Sequence, residues 1–402
     1  MVSDVPPAAV GVDRWRLETV AGATAIEAAE WERLETHDNP FLDHGFLTAL
    51  EDSGTVGGDT GWVPLFLLVR DALGRLVGAA PAWLKGHSFG EYVFDHHWAQ
   101  AWERAGGRYY PKLLVAVPFT PVTGSRLLVA RHLAAGSKVQ VRRQLLEGLV
   151  GLAHEAGLSG VHIDFLPEDE AETGTTAGWL ARIDQQFHWR NRGWEDFSDY
   201  LASLKSARRK QIRRERGRVR EAGISCRMIP GDEATPTILD HVFACYLATA
   251  MRKWGQPYLN RESFSLIAER CRDRLRIGLA EDADGIPIAM ALHLEGGGAL
   301  HGRYWGTLAH HPFLHFELCY HQAIEYAIAR RLERVEAGAQ GPHKIARGYE
   351  PVMTRSLHRF TDPRLHRAIA DYLRYERADV AEASKMLAAH LPFRKDRGGK
   401  TG

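Results

Sequence analysis

Followed by its apolar and polar positions alone, the chain writes one order of elements twice. Residues 39–50, "NPFLDHGFLTAL", have the pattern of a helix with Asn39 as cap and Pro40 at its first position. Two apolar runs in "PLFLLVRDALGRLVGAAPAWLKG", separated by a turn at Asp71 to Gly74, predict a hairpin. A strand in "KLLVAVPF", a helix in "RRQLLEGLVGLAHEAG" and a strand in "GVHIDFL" follow. The second half repeats the series. A helix in "TILDHVFACYLATAMRKW" precedes a hairpin turning at Asp282 to Gly285, the strand "ALHGRYWG", the helix "FELCYHQAIEYAIARRL" and the strand "RVEAG". This duplication predicts a mixed α/β (α+β) fold of two tandem units, each a mixed sheet flanked by helices. The expected boundaries are 1–190 and 226–362 for the units and 191–225 for a basic helical connector. Residues 363–402 are expected to form closing helices and a disordered basic tail.

Composition narrows the class without naming it. The 402 residues are 45% hydrophobic and 25% charged, enough for more than one core. Lys plus Arg (51) nearly balances Asp plus Glu (50), so no global field marks a nucleic-acid or membrane binder. Four cysteines, Cys226, Cys245, Cys271 and Cys319, stand far apart without a C-x-x-C pair, which fits reduced thiols. The start lacks the basic and apolar regions of a secretion signal, and no run of about 18 apolar residues spans a membrane, so a cytoplasmic protein is expected. The phosphate loop G-x-x-x-x-G-K-[ST], the dinucleotide loop G-x-G-x-x-G and the elbow G-x-S-x-G are absent. His310, His311, His315, Cys319 and His321 cluster, but Pro312 interrupts them and no zinc spacing appears, so no metal is expected.

Local charge is more informative. Between Lys205 and Arg220 the bases are relieved only by Glu215, and on a helix Lys205, Arg209, Arg213 and Arg216 share a face. Such a face suits a phosphate-bearing ligand, or else acids from elsewhere in the fold. On the strand "ALHGRYWG" strict alternation puts His301, Arg303 and Trp305 on one face, opposite Tyr304. On the helix after it, Glu317 lies in the first turn, where the dipole favours an anion; it is a candidate base or amine-holder, or merely a cap. Past the strand "RVEAG", the turn-rich "AQGPHKIARGY" gathers His343, Lys344 and Arg347 at a strand's carboxyl end, where ligands of such sheets collect. Lys344 and Arg347 are expected to meet anionic ligand groups, with His343 as a proton-transfer candidate.

Several long stretches carry a family resemblance. "YYPKLLVAVPFTPVTGSRLL", "FHWRNRGWEDFSDYLASLKSARRKQIRRER", "HGRYWG", "LHFELCYHQAIEYAIARRLERVEAGAQGPHKIARGYEP" and "SLHRF" resemble the FemAB-like predicted N-acyltransferases of the GNAT-like superfamily, over nearly the entire chain. The resemblance implies two GNAT-like units and transfer of an acyl or aminoacyl group to an amine, on a cell-wall precursor in the family's own setting. It implies no permanently bound cofactor; the donor, acyl-CoA or aminoacyl-tRNA, is a co-substrate, and tRNA is the partner in the second case. The site residues that follow are Glu317, His301 and His343 for catalysis, with Arg303, Tyr304, Trp305, Lys344, Arg347, Arg209, Arg213 and Arg216 for binding. There are departures: "AHHPFLHFE" stands where ordinary GNAT enzymes carry a pyrophosphate loop, and Pro342 replaces an acid of the family's motif. The alternatives are an acyl-CoA-dependent small-molecule N-acetyltransferase and a non-catalytic binding protein on this fold.

Overall fold

The computed structural model describes residues 15–338 and 341–394; the basic tail expected at the C-terminus lies, from residue 395 on, outside the described residues. The first half contributes β1 (Arg16–Val20), β2 (Trp62–Pro64), β3 (Phe66–Arg70), β4 (Leu76–Ala80), β5 (Ala82–Lys85), β6 (Lys112–Val115), β7 (Leu128–Val129), β8 (Gly160–Asp164) and β9 (Leu180–Arg190). The second contributes β10 (Ser225–Pro230), β11 (Leu275–Glu281), β12 (Pro287–Gly296), β13 (Ala299–Thr307), β14 (Arg334–Glu336) and β15 (Tyr349–Phe360).

The duplication expected from the pattern is present down to its turns. Asp71 Oδ1 accepts from the amides of Leu73 and Arg75, and Asp282 Oδ1 accepts from those of Asp284 and Ile286. Each hairpin closes on a glycine in the left-handed region, Gly74 at φ 76° and Gly285 at φ 78°, where a Cβ is penalised. The two hairpins then diverge. β11 and β12 stay in the large sheet, whereas β3 and β4 leave it to form a small sheet of order β1-β3-β4-β7.

The large sheet has 11 strands in the order β10-β11-β12-β13-β14-β9-β15-β8-β6-β5-β2. Its two parallel pairs are β6 with β8 and β13 with β14, joined by the crossover helices Ala135–Glu155 and, through a π-helical stretch at Glu317–Gln322, residues 314–329. The strand that ends each half is exchanged. β9 of the first half pairs with β14 of the second, and β15 of the second half pairs with β8 of the first. β9 and β15 then pair antiparallel with each other from Tyr349↔Trp189 to His358↔Leu180, welding the halves into one sheet.

Cores sit on the faces of this sheet. Val141, Leu145 and Leu149 of the first crossover helix belong to one with Leu113, Val161 and Ile163. Ala323, Ile324 and Ala327 of the second pack with Leu300, Val335 and Trp189. The connector forms two helices, Phe197–Ser203 and Ser206–Glu221, the latter stopping before Gly223 at φ 73°. Among the described residues after β15 there is one helix, Pro363–Ala388, capped by Asp362. No helix among the described residues is long and apolar enough to cross a membrane.

Candidate functional site

Each parallel pair is short and then splays. β14 stops at Glu336, opposite His188, so the next residues of β9, Phe187 to Asp184, lose that neighbour. β8 stops at Asp164, opposite Ser356, and β15 is left uncovered toward Thr354 in the same way. Both carboxyl ends therefore open onto the middle of the β9–β15 ribbon. A cavity of about 730 Å³ lies there, lined by Asp184 to Phe187 and Thr354 of the ribbon and by Phe165, which follows β8. Tyr92 and Phe94, from the loop after β5, form a wall, and Gly341 and His343 close the far side.

His343 sits on the 3-10 turn Pro342–Arg347, with its Nε2 2.9 Å from the Tyr320 hydroxyl. Burial, together with the cations of Lys344 and Arg347, lowers its pKa from the ordinary imidazole value, so the ring is neutral near pH 7. In the tautomer whose Nε2–H donates to Tyr320 the Nδ1 lone pair is free; in the other, the Tyr320 hydroxyl donates to Nε2 and Nδ1 carries the proton. Asp184, exposed on β9, is the carboxylate of the lining. Gly341 gives the imidazole its space: a Cβ there would stand 2.6 Å from His343 Cε1, and its φ of 124° disfavours side chains. Gly341→Ala is expected to cost about 1 kcal/mol of stability but to lower turnover at least roughly tenfold, read by thermal melting beside kcat.

The family model described as peptidoglycan biosynthesis/recognition matches residues 22–395. The chain belongs to the FemAB-like family. Among solved structures, this FemAB-like chain is similar to FemX, with 11% identity and a TM-score of 0.51 over 88% of this chain and 100% of that one. At that identity the likeness concerns the fold. It also matches L-PGS from Bacillus licheniformis, with 9% identity and a TM-score of 0.47 over 87% and 96% of the chains. No curated protein matches it in sequence.

Of the residues singled out in the sequence, the FemAB-like fold places His343 on the cavity lining and uses most of the others elsewhere. Arg347 is buried, and its Nη2 donates to both oxygens of Glu215 at 3.0 and 2.9 Å. His321 Nε2 lies 3.2 Å from the same carboxylate. Arg347 is thus a structural partner of the basic helix, not a free anion contact. Lys344 is buried as well and donates to the Gly338 carbonyl at 2.9 Å, with burial pushing its pKa down to about 8. Its reach toward Phe187, 6.0 Å from the ring, puts a cation behind the cavity wall.

Two expected roles cancel each other. Arg216 Nη2 stands 3.0 Å from Glu317 and 2.7 Å from Glu325, and its guanidinium stacks over Phe197 at 4.5 Å. The anion expected for the basic face is, at Arg216, the very carboxylate expected as base. Arg209 is half-buried against the Leu204 carbonyl at 3.4 Å. Arg213 is exposed with Arg208, Lys210, Arg214, Arg218 and Arg220, on the face turned from Ile212, Glu215 and Val219.

The strand β13 departs from strict alternation. His293 pairs with Gly302 but Leu292 pairs with Tyr304, so Arg303 is a β-bulge and the side-chain order flips after it. Tyr304 packs on Tyr246, its ring 5.2 Å away, while Trp305 goes to the opposite face against His315. His301 faces Phe41 and stands 3.2 Å from the buried Glu336, which also has His188 at 3.8 Å. Burial disfavours the Glu336 anion, but His188 and His301 outweigh it and hold the carboxyl well below its usual range. Arg303 bonds the Phe119 carbonyl of the first half. His301 and Arg303 tie the halves together, Tyr304 and Trp305 pack within the second half, and none of the four lines the cavity.

Asp184, Gln186, Tyr92, Phe94 and Phe165 went unread in the sequence. "ARIDQQFHW" does alternate polar Arg182, Asp184, Gln186 and His188 with apolar neighbours in part, the signal that a strand with one polar face leaves.

Proposed function

We propose that this protein transfers an acyl or aminoacyl group to a primary amine in the central cavity. The observation that carries the reading is that both splayed strand pairs open on one chamber holding a neutral imidazole, His343, and a carboxylate, Asp184. Asp184 receives the acceptor as an ammonium, held also against aromatic faces. His343 takes one proton from the ammonium, and the free amine attacks the donor carbonyl. As the adduct collapses, the new C–N bond replaces the C–S bond of a thioester donor or the C–O bond of an aminoacyl ester, and the departing thiolate or ribose oxygen takes up the second nitrogen proton. Water exclusion by Phe165 and Phe187 and fixed placement of the two reactants supply the remainder. The family's peptidoglycan description supports an amine on a cell-wall precursor as acceptor.

Incubation of the purified chain with acetyl-CoA or with aminoacylated tRNA, and an amine-bearing peptidoglycan precursor, tests this by mass spectrometry. Transfer from one donor is expected; none from either overturns the reading. The exposed bases on the helix Ser206–Glu221 favour the polyanionic donor, because among the described residues that line the cavity there is no arginine or lysine to meet its charge. Changing Lys210, Arg213 and Arg214 to Gln is expected to shrink the slope of log affinity against log salt for tRNA by about 2 to 3. An unchanged slope in a filter-binding titration assigns that helix face to solvent.

A further inference from the structure

The loop from Gly86 to Asp95 runs from β5 to the helix His96–Arg104 across the first residue of β6, Lys112, which is 0% exposed. Lys112 Nζ donates to Glu91 Oε2 at 2.7 Å, Asp95 Oδ2 at 2.5 Å and Ser88 Oγ at 2.8 Å. Tyr109 Oη donates to Asp95 at 2.7 Å, and Tyr110 Oη lies 2.8 Å from Ser88 Oγ. Lys85, buried with its Nζ 3.7 Å from the Trp62 ring centroid, donates to the Phe89 carbonyl of the same loop at 3.3 Å. Ser88, Glu91 and Asp95 are themselves buried. Burial weakens the Lys112 ammonium, but Asp95 and Glu91 outweigh it and keep it charged.

Burying two lysines and two carboxyl groups, of which burial and the neighbouring Asp95 push Glu91 up to about 7, is a poor way to gain stability, since apolar residues of equal volume often do as well or better. What the arrangement does provide is place. Between its anchors lie Tyr92, Val93 and Phe94, of which Tyr92 and Phe94 form the wall of the cavity, and Tyr92 is held at φ 64°, unfavourable for a side chain of its size. Lys112 itself is not among the residues that line the chamber.

We propose that the clasp of Lys112 on Glu91 and Asp95 is a positioning device that sets the Tyr92–Phe94 wall, and through it selects amine acceptors by the length of the aliphatic stem bearing the amine. This rests on the reading of the cavity as the acceptor site. The wall faces the chamber to which Asp184 contributes the carboxylate, so a stem of the right length seats its ammonium there while its methylenes cover the rings.

Two full-length variants separate position from folding. Lys112→Met strands two buried carboxylates and is expected to lose stability. Lys112→Met/Glu91→Gln/Asp95→Asn removes the ammonium and both carboxylates together; Lys85, which loses its partner Glu91 Oε1 at 3.8 Å, has a pKa that burial already pushes down to about 7 and can shed its proton, so the variant is expected to fold, yet with the loop unclasped. Hydrogen exchange followed by mass spectrometry should then show faster exchange confined to residues 86–95. Calorimetric titration with linear diamines of graded length should show a preferred length for the native chain, and loss of that preference with roughly tenfold weaker binding in the triple variant. Native exchange in the loop, or an unchanged length preference despite a loosened loop, overturns the proposal. Asp184→Asn distinguishes the parent reading: if it leaves diamine affinity unchanged, or if the native chain binds no diamine, the acceptor site lies elsewhere and both readings fall.

Discussion

Replacing His343 by asparagine is expected to lower kcat by roughly 10²–10⁴-fold with little effect on folding, because the ring is exposed on one side and its partner Tyr320 remains packed. The pH profile supplies a sharper check. A base acts deprotonated, and burial with the neighbouring Lys344 and Arg347 cations places His343 below the ordinary imidazole pKa. The rate should therefore rise with pH through an inflection on the acid side of that value and be flat at neutrality. Lys344→Met removes one cation, so His343 binds its proton more tightly and the acid limb should move to higher pH. A profile that ignores Lys344→Met, or a His343→Asn enzyme with native kcat, excludes the imidazole from proton transfer.

Arg347→Met is expected to destabilise the fold by about 3–5 kcal/mol. It leaves Glu215 buried, facing His321 at 3.2 Å and Gln211 at 2.9 Å without its guanidinium. Adding Glu215→Gln should restore most of the loss, since the uncompensated charge then disappears. The native pair also predicts acid sensitivity. Burial opposes the Glu215 anion, but the bonds from His321 and Arg347 outweigh it and bring the carboxyl down to about 2. A depressed acid contributes stability that is complete above its unfolded pKa and fades as pH falls toward about 2. Melting temperatures from pH 7 down to pH 2 should drop less for Arg347→Met/Glu215→Gln than for the native chain. Equal acid sensitivity in the two would mean that Glu215 is not held as an anion.

His343 and Glu215 also mark what a linear pattern contains. Local spacing located both hairpins, both crossover helices and the turn at 342–347, because hydrophobic period and glycine turn chemistry act over a few residues. The exchanged strands β9 and β15 escaped, since their partners lie in the opposite half and one face of each is polar inside the protein. The basic helix was visible as charge, but its compensation by Glu317 and Glu325 is a matter of which element packs against it. Arg303 reads as a regular strand position and is a bulge, an insertion that pairing registers and residue order do not.

By itself the sequence determined the two-unit α/β plan, its hairpin turns and the carboxyl-end loop bearing His343, whereas the helix expected over 39–50 divides into a 3-10 turn capped by Asn39, Pro40–Leu42, and an α-helix, His44–Asp52. Only the tertiary structure decided that the terminal strands cross over, that both strand pairs therefore open on one cavity, and that Asp184, Tyr92 and Phe94 share it with His343. It also decided that Arg216, Glu317 and Arg347 are consumed in buried pairs. The reason is physical: backbone preferences are settled within a turn or two of chain, whereas the fate of a charge depends on whichever group long-range packing brings within a few ångströms of it.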